Sequence, residues 1–391
     1  MKLPGPIVLK EGSPQHLALR IAGFLAIAYI ALSPFFRDLK ANDYGELVDI
    51  MILALAAISL NLLVGFTGQL SIGHSAFFGL GGYTTAILMQ KHGWSPEETF
   101  VAAALLCFVV GVLVGVPALR LTGVYLSLVT LALAQLFPAL VRKFDTLTGG
   151  SRGIGGLSYE PPSWSGLSNS RLDRSIWLYA VSLFFVVVGY LITRNLVKSR
   201  VGRAMVAVRD NTTAAGVMGV NVALVKTIVF GISAALAGVA GSLFVFRQTQ
   251  ANPDNLLYTI LGAILFLVIM VIGGTASLLG PIIGAFVYYR VNQFTIDLPN
   301  KDYLPNFVHD FLEGRANLAT VVFAAMLILL MYVAPFGIVG FVKRVSRRIL
   351  FVVPRPPGAA GDVPEPVVAP DDVTPSAFET AISSPTQGGS S

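Results

Sequence analysis

The sequence predicts an all-α polytopic membrane protein of about ten transmembrane helices, with both termini cytoplasmic and a disordered C-terminal tail. Three observations carry that expectation. Only 12% of the 391 residues are charged and 54% are hydrophobic, whereas soluble domains carry roughly 25% charged residues. The apolar residues gather into runs that reach the ~20 residues needed to cross a hydrocarbon core. The basic residues fall in the connections between those runs, so the net charge of +6 reads as membrane topology and not as a nucleic-acid footprint.

Taken in order, residues 1–16 form a polar cytoplasmic segment. The first apolar run, 17–36, has no small-residue cleavage site behind it and reads as a retained span, not a signal peptide. Further spans are expected at 45–65, 69–90, 98–118, 121–141, 176–194, 227–246, 256–274, 278–296 and 318–341, each near the required length. The third is interrupted by glycine. Orientation follows from lysine and arginine. Residues 195–226 hold Lys198, Arg200, Arg203, Arg209 and Lys226 against a lone Asp210, and Lys343, Arg344, Arg347 and Arg348 follow the last span. The 297–317 connection instead holds Asp297, Asp302, Asp310 and Glu313 against Lys301 and Arg315. The first two segments are therefore cytoplasmic, and 297–317 is external together with 142–175. The permease domain so defined spans 17–341. From residue 354 to 391 the chain is rich in Pro, Gly and Ser, a composition that cannot bury enough surface to offset its ordering entropy. It reads as disorder, with a short partner-binding motif as the alternative.

What is missing narrows the chemistry. There is no phosphate-binding loop, because Gly is never followed by Lys, and no paired Cys/His metal spacing. No catalytic residue and no metal ligand set is expected. Cys107 is the only cysteine and sits in an apolar run, so it reads as a small buried hydrophobe. Proton-coupled carriers place Asp, Glu or His relays inside the membrane; here only His74 qualifies, without a carboxylate nearby in sequence. Uphill transport by such a chain would draw its energy from a partner.

The segment Ser199–Lys226, "SRVGRAMVAVRDNTTAAGVMGVNVALVK", is the contact expected for that partner. Ala204, Ala207 and Val208, and then Ala214, Ala215 and Met218, fall at helical spacings, with Gly202 and Gly219 bracketing them. Asp210 or Asn211 is placed to cap a short second helix over Thr212–Met218. Small, alanine-rich helices suit a groove on another protein; the alternative is a solvated helix at the lipid headgroups.

Four stretches carry a family resemblance. Gly202-Arg203-Ala204, Arg209-Asp210-Asn211, Ala214-Ala215 and Met218-Gly219-Val220-Asn221 resemble the cytoplasmic coupling loop of branched-chain amino acid ABC importer permeases. "LNLLVGFTGQLSIGHSAFFGLGGYTTAIL" (Leu60–Leu88), "LTGGSRGIGG" (Leu147–Gly156) and "VIGGTASLLGPIIGA" (Val271–Ala285) resemble the same family's other motifs, in the same order. The likeness runs from about Leu60 to Gly340 and is strongest to the LivM-type subunit. It implies a bacterial cytoplasmic (inner) membrane location. It also implies a second, LivH-type permease, two ATP-binding subunits and an external solute-binding protein as partners. This chain would hold no cofactor, ATP and Mg being used by the partner subunits. The sequence departs from the family at Thr212 and Thr213, where an acidic residue often precedes the Ala-Ala pair, and at Arg152, where Asp or Asn is common.

The resemblance gives the remaining motifs an expected use. A path for a small polar solute needs room and polar groups to replace water, and irregular backbone is tolerated at depth where it lines a cavity. Gln69, Ser71, Gly73, His74 and Tyr83 are expected to border such a path, the alternative being close helix packing through small residues. Tyr125, Thr130 and Gln135 on the fifth span are further path candidates, although hydroxyls also bond their own helix backbone. Gly111/Gly115, Gly280/Gly284 and the Ala234/Gly238/Ser242 face are expected to pack, and Arg290 to snorkel to the interface. The external Thr148, Gly149, Gly150 and Ser151 would meet the solute-binding protein or form a plain loop. The substrates implied are branched-chain amino acids. A urea or short-chain amide importer, or a passive channel without an ATPase, are the alternatives.

Overall fold

The computed structural model describes residues 7–10, 29, 32–118, 124–297, 325, 328, 332 and 337–353. In chain order its elements are β1 (Ile7–Lys10), α1 (Ala41–Thr67), α2 (His74–His92), α3 (Pro96–Ala118) and α4 (Val124–Lys143), then β2 (Ile154–Gly155) and α5 (Arg171–Lys198). There follow α6 (Arg200–Asp210), α7 (Thr212–Val217), α8 (Val222–Gln248), β3 (Gln250–Ala251), α9 (Ile260–Gly273), α10 (Gly280–Asp297), α11 (Gly337–Ile349) and β4 (Leu350–Val353). The spans expected at 17–36 and 318–341 lie largely outside the described residues, as do 298–317 and the tail from 354. The chain divides into two compact units, residues 25–346 and the joined ends 1–24 with 347–391.

Five described helices, α1, α3, α4, α5 and α8, are long and apolar enough to cross a membrane. Each overlaps an expected span. The expected 69–90 span is corrected at its start. Gly68 takes a left-handed φ of 69° and ends α1, its N–H bonding the Val64 carbonyl at 3.1 Å. Residues 68–73 are irregular, and α2 then runs unbroken from His74. The expected 256–274 span is also shorter than read. It is a 3-10 turn at Leu256–Tyr258 followed by the 14-residue α9, about 21 Å at 1.5 Å per residue against a ~30 Å core.

α1 and α8 form the centre. Both are buried on nearly every side along their middle turns, as expected of helices that are apolar all round. Between membrane helices there is no hydrophobic gain from leaving lipid, so close contact must do the work. Glycine supplies it where α2 meets α8. A Cβ built on Gly81 would lie 2.1 Å from the Gly238 carbonyl oxygen, and one on Gly241 would lie 1.8 Å from that of Phe78. The expected packing pairs behave the same way: Gly111 meets the Ala234 methyl, and Gly284 meets the Ile269 backbone. Arg290, expected to snorkel to the interface, is half exposed and has two neighbours. It pairs with Glu46 on α1 at 3.5 Å and lies 5.6 Å from the Phe286 ring centre.

Two short ladders interrupt the helical plan. β2 pairs antiparallel with β3. In the unit of joined ends, β1 pairs in parallel with β4, Ile7 opposite Leu350. Neither was expected from the sequence. The 7–10 and 350–353 runs are rich in branched and aromatic residues that fit a pleat, but each is too short to identify alone.

Candidate functional site

A polar seam joins α1, α2, α4 and α8. Ser233 donates to the Ser59 carbonyl at 2.5 Å, which uses its only proton. The 2.7 Å contact of Ser233 Oγ with His74 Nε2 therefore needs the proton on Nε2. Nδ1 then accepts from Ser71 Oγ at 3.2 Å. His74 is thus bonded on both sides of its ring and is 1% exposed. On α4, Thr130 donates to the Ser127 carbonyl at 3.0 Å and accepts from the Ile72 N–H at 3.0 Å. It has no room to spare, for a Cβ on Gly73 would fall 2.5 Å from the Thr130 carbonyl oxygen. Gln69 bonds the Thr67 hydroxyl at 3.1 Å and reaches the Lys226 carbonyl at 3.5 Å.

The path residues read from sequence thus separate into two sets. Gln69, Ser71, Gly73, His74, Tyr83 and Thr130 are buried within this chain. Tyr83 lies apart from the others and donates to the Ala251 carbonyl at 3.2 Å. Tyr125, 69% exposed, and Gln135, also exposed, stand on the outer face of α4. Sequence reasoning missed Asn61. Its Nδ2 donates to the Ser277 carbonyl at 2.8 Å, and its Oδ1 accepts from the Ala276 N–H at 3.0 Å. One side chain thereby fixes the turn between α9 and α10. The available signal was an amide inside an apolar run, which membrane spans rarely carry without a use.

The 199–221 segment is a helical pair, α6 and α7, joined by a cap. Ser199 accepts from the N–H groups of Val201 and Gly202, and Asn211 from the Ala214 N–H at 3.0 Å. Of the two expected caps, Asn211 is the one used. Gly202, buried, lies against the Val197 carbonyl, and Met205 and Val208 turn inward while Arg203 is exposed and Ala204 half-buried. Arg209 pairs with Asp210 at 3.0 Å and donates to the Gly65 carbonyl at 3.3 Å, tying this segment to the end of α1. Ala215 is 4% exposed, whereas Ala214 is exposed, Val217 is 83% and Met218 84% exposed, and Gly219 has a left-handed φ of 84°. α7 therefore presents a bare apolar tip.

At the other end of the helices, Thr148 donates to the Val141 carbonyl at 2.5 Å and the Phe144 carbonyl at 2.8 Å. Gly149 (φ 77°) and Gly150 (φ 59°) turn the chain next to Ser151. A Cβ on Gly149 would lie 2.2 Å from the Gly153 carbonyl oxygen, so this is a built turn. It walls a shallow cavity of about 500 Å3 with Arg142, Asp145 and Arg152. Nearby, Tyr159 donates to Glu97 at 3.0 Å; burial first, and the Glu97 carboxylate second, raise its phenol above the usual range. No group of three metal-ligating side chains occurs among the described residues.

Residues 45–338 match the model of the branched-chain amino acid transport system permease component family. The chain belongs to that family. Among curated relatives, the high-affinity branched-chain amino acid transport system permease protein LivM of Escherichia coli K12 is 32% identical over 291 residues, 70% of this chain and 67% of the relative. LivM of Salmonella typhimurium is 32% identical over 293 residues, 70% of this chain and 68% of the relative. The autoinducer 2 import system permease protein LsrC of Salmonella typhi is more distant, 24% identical over 308 residues, 76% of this chain and 83% of the relative. No solved structure matches. The chain is thus a multi-pass membrane permease subunit of an ABC transport system, and the permease family's match begins within α1 and ends within α11.

Proposed function

We propose that this permease is one transmembrane subunit of an ATP-driven importer in the bacterial cytoplasmic membrane, moving branched-chain amino acids handed over by an external solute-binding protein. The single observation that carries the reading is the α6–α7 segment. Its apolar tip is exposed, its base is capped, and Arg209 fastens it to the end of α1. Such a device suits transmission of motion from an ATP-binding subunit to the spans. Gly202, Arg203, Ala204, Arg209, Asp210, Asn211, Ala214, Ala215 and Gly219 belong to it, with the buried members shaping it and the exposed ones making contact. The path runs along the outer face of α4, where Tyr125 and Gln135 meet the solute and a second permease closes the far side. Gln69, Ser71, Gly73, His74 and Thr130 hold α4 in register behind that face, and Tyr83 steadies the outer end. Thr148, Gly149, Gly150 and Ser151 receive the binding protein. Purification of the tagged chain in mild detergent tests the assembly, with recovery of a second permease and ATP-binding subunits expected. Elution only with copies of itself would overturn it. Uptake of radiolabelled leucine against urea in the same cells tests the substrate.

A further inference from the structure

A cavity of about 580 Å3 opens between the first turns of α1 and α5, the last turn of α8 and the outer part of α10. Pockets of this size suit small organic ligands. Its polar wall holds Glu46, Arg171, Arg174 and Arg247, and its apolar wall holds Val48, Leu178 and Phe246. The charges are unevenly matched. Arg247 pairs with Asp49 at 3.0 Å, Arg174 with Glu160 at 3.5 Å, and Glu46 with Arg290 at 3.5 Å. Arg171 has only Asn42 Oδ1, at 3.3 Å, and no carboxylate among the described residues. Arg174 Nε is buried and bonds nothing described. Both α1 and α5 begin at this cavity, and helix N-termini favour negative charge. Asn42, which holds the Arg171 guanidinium, and Glu46 are four residues apart on α1, so they leave the same face of the helix about one turn apart.

A cation with spare donors, a carboxylate one turn away and an apolar wall describe a zwitterion with a hydrocarbon side chain. We propose that this cavity is an outward-facing site for a free α-amino acid, separate from the path along α4. The ligand carboxylate bonds Arg171 and Arg174, its ammonium meets Glu46, and its side chain lies on Leu178, Phe246 and the ring of Tyr289. A carboxylate has about four lone-pair sites, so Glu46 accepts a second cation beside Arg290. The assignment rests on the importer reading for its choice of leucine as probe and on the membrane orientation for its side.

The test is equilibrium binding of radiolabelled leucine to the assembled permease complex in nanodiscs, without ATP and without the binding protein. Saturable binding is expected, about tenfold weaker in Arg171→Gln and in Glu46→Gln. Leucinamide, which lacks the carboxylate, and 4-methylpentanoate, which lacks the ammonium, should compete far less well than leucine. Ser175→Trp, at a lining position that is only half-buried, puts bulk in the cavity, leaves every charge in place, should block binding and guards against a charge variant that fails to fold. Leucine uptake with no binding in this assay, or unchanged binding in the folded variants, would remove the site and leave the importer reading standing. Competition by inorganic phosphate as strong as by leucine would also overturn it, as an anion site only. Absence of leucine uptake by the complete system would instead sink the importer reading, with the cavity still judged by the binding assay and its variants.

Discussion

At the scale of single residues, neighbours in sequence have opposite uses. Ala214 and Ala215 are adjacent in the same motif, yet the first is exposed and the second is 4% exposed. Ala214→Trp is expected to leave membrane insertion and yield intact while abolishing ATP-driven uptake. Ala215→Trp is expected to lower the yield of folded protein, since overpacking costs ~1–3 kcal/mol. Normal uptake in folded Ala214→Trp vesicles would rule out coupling through α7. His74 gives a second contrast. Replacing it with Phe removes one bond each from Ser233 Oγ and Ser71 Oγ, which keep the Ser59 carbonyl and the Gly73 N–H, at about 0.5–1.5 kcal/mol per lost hydrogen bond. A fall in the midpoint of thermal unfolding in detergent is expected; an unchanged midpoint would show that the seam contributes nothing to stability.

At the scale of elements, the α2–α8 contact depends on glycine being glycine. Gly81→Val and Gly241→Val each drive a Cβ into a facing backbone carbonyl, and backbone cannot rotate aside as a side chain can. Both should unfold at lower temperature than the parent, by the cost of overpacking, ~1–3 kcal/mol or more. Gly216→Ala, whose Cβ meets nothing within 4 Å, should unfold with the parent. If all three behave alike, close packing is not what these glycines provide. The irregular 68–73 stretch makes a related point: Gly68 touches Arg209, so the glycine-rich motif and the α6–α7 segment meet at one junction.

At the scale of the whole molecule, β1 pairs directly with β4, which sets residues 7–10 beside residues 350–353. An even number of crossings, as in the ten-span topology expected from the sequence, is what such a pairing requires. The orientation proposed from the charge bias has α7 inside and the 142–175 connection outside. Cys107 is buried with its thiol directed to the Phe77 carbonyl at 3.5 Å, and Gly238 packs on it, so Cys107→Ala leaves a tolerable background. In that background Trp164→Cys should react with a membrane-impermeant maleimide in intact cells. Met218→Cys should react only after the membrane is opened. The reverse pattern would invert the topology and with it the proposed importer.

The sequence by itself determined the class, five of the spans in order, the charge bias and the family. Each of these is written locally, in apolar runs of bilayer length, in arginines beside them, and in contiguous motifs such as Gly202-Arg203-Ala204. It also placed the short capped helix after Asn211, because capping involves residues three apart. Only the tertiary structure decided which polar residues face inward. The bond from His74 to Ser233 joins positions 159 residues apart, and that from Asn61 to Ser277 joins positions 216 apart. Helical period alone could not tell them from path-facing groups, because a span buried on all sides shows no polar face to read. The same holds for the α1–α5 cavity: Arg171 and Glu46 are unremarkable helix-end charges until the fold brings two helix beginnings to one place.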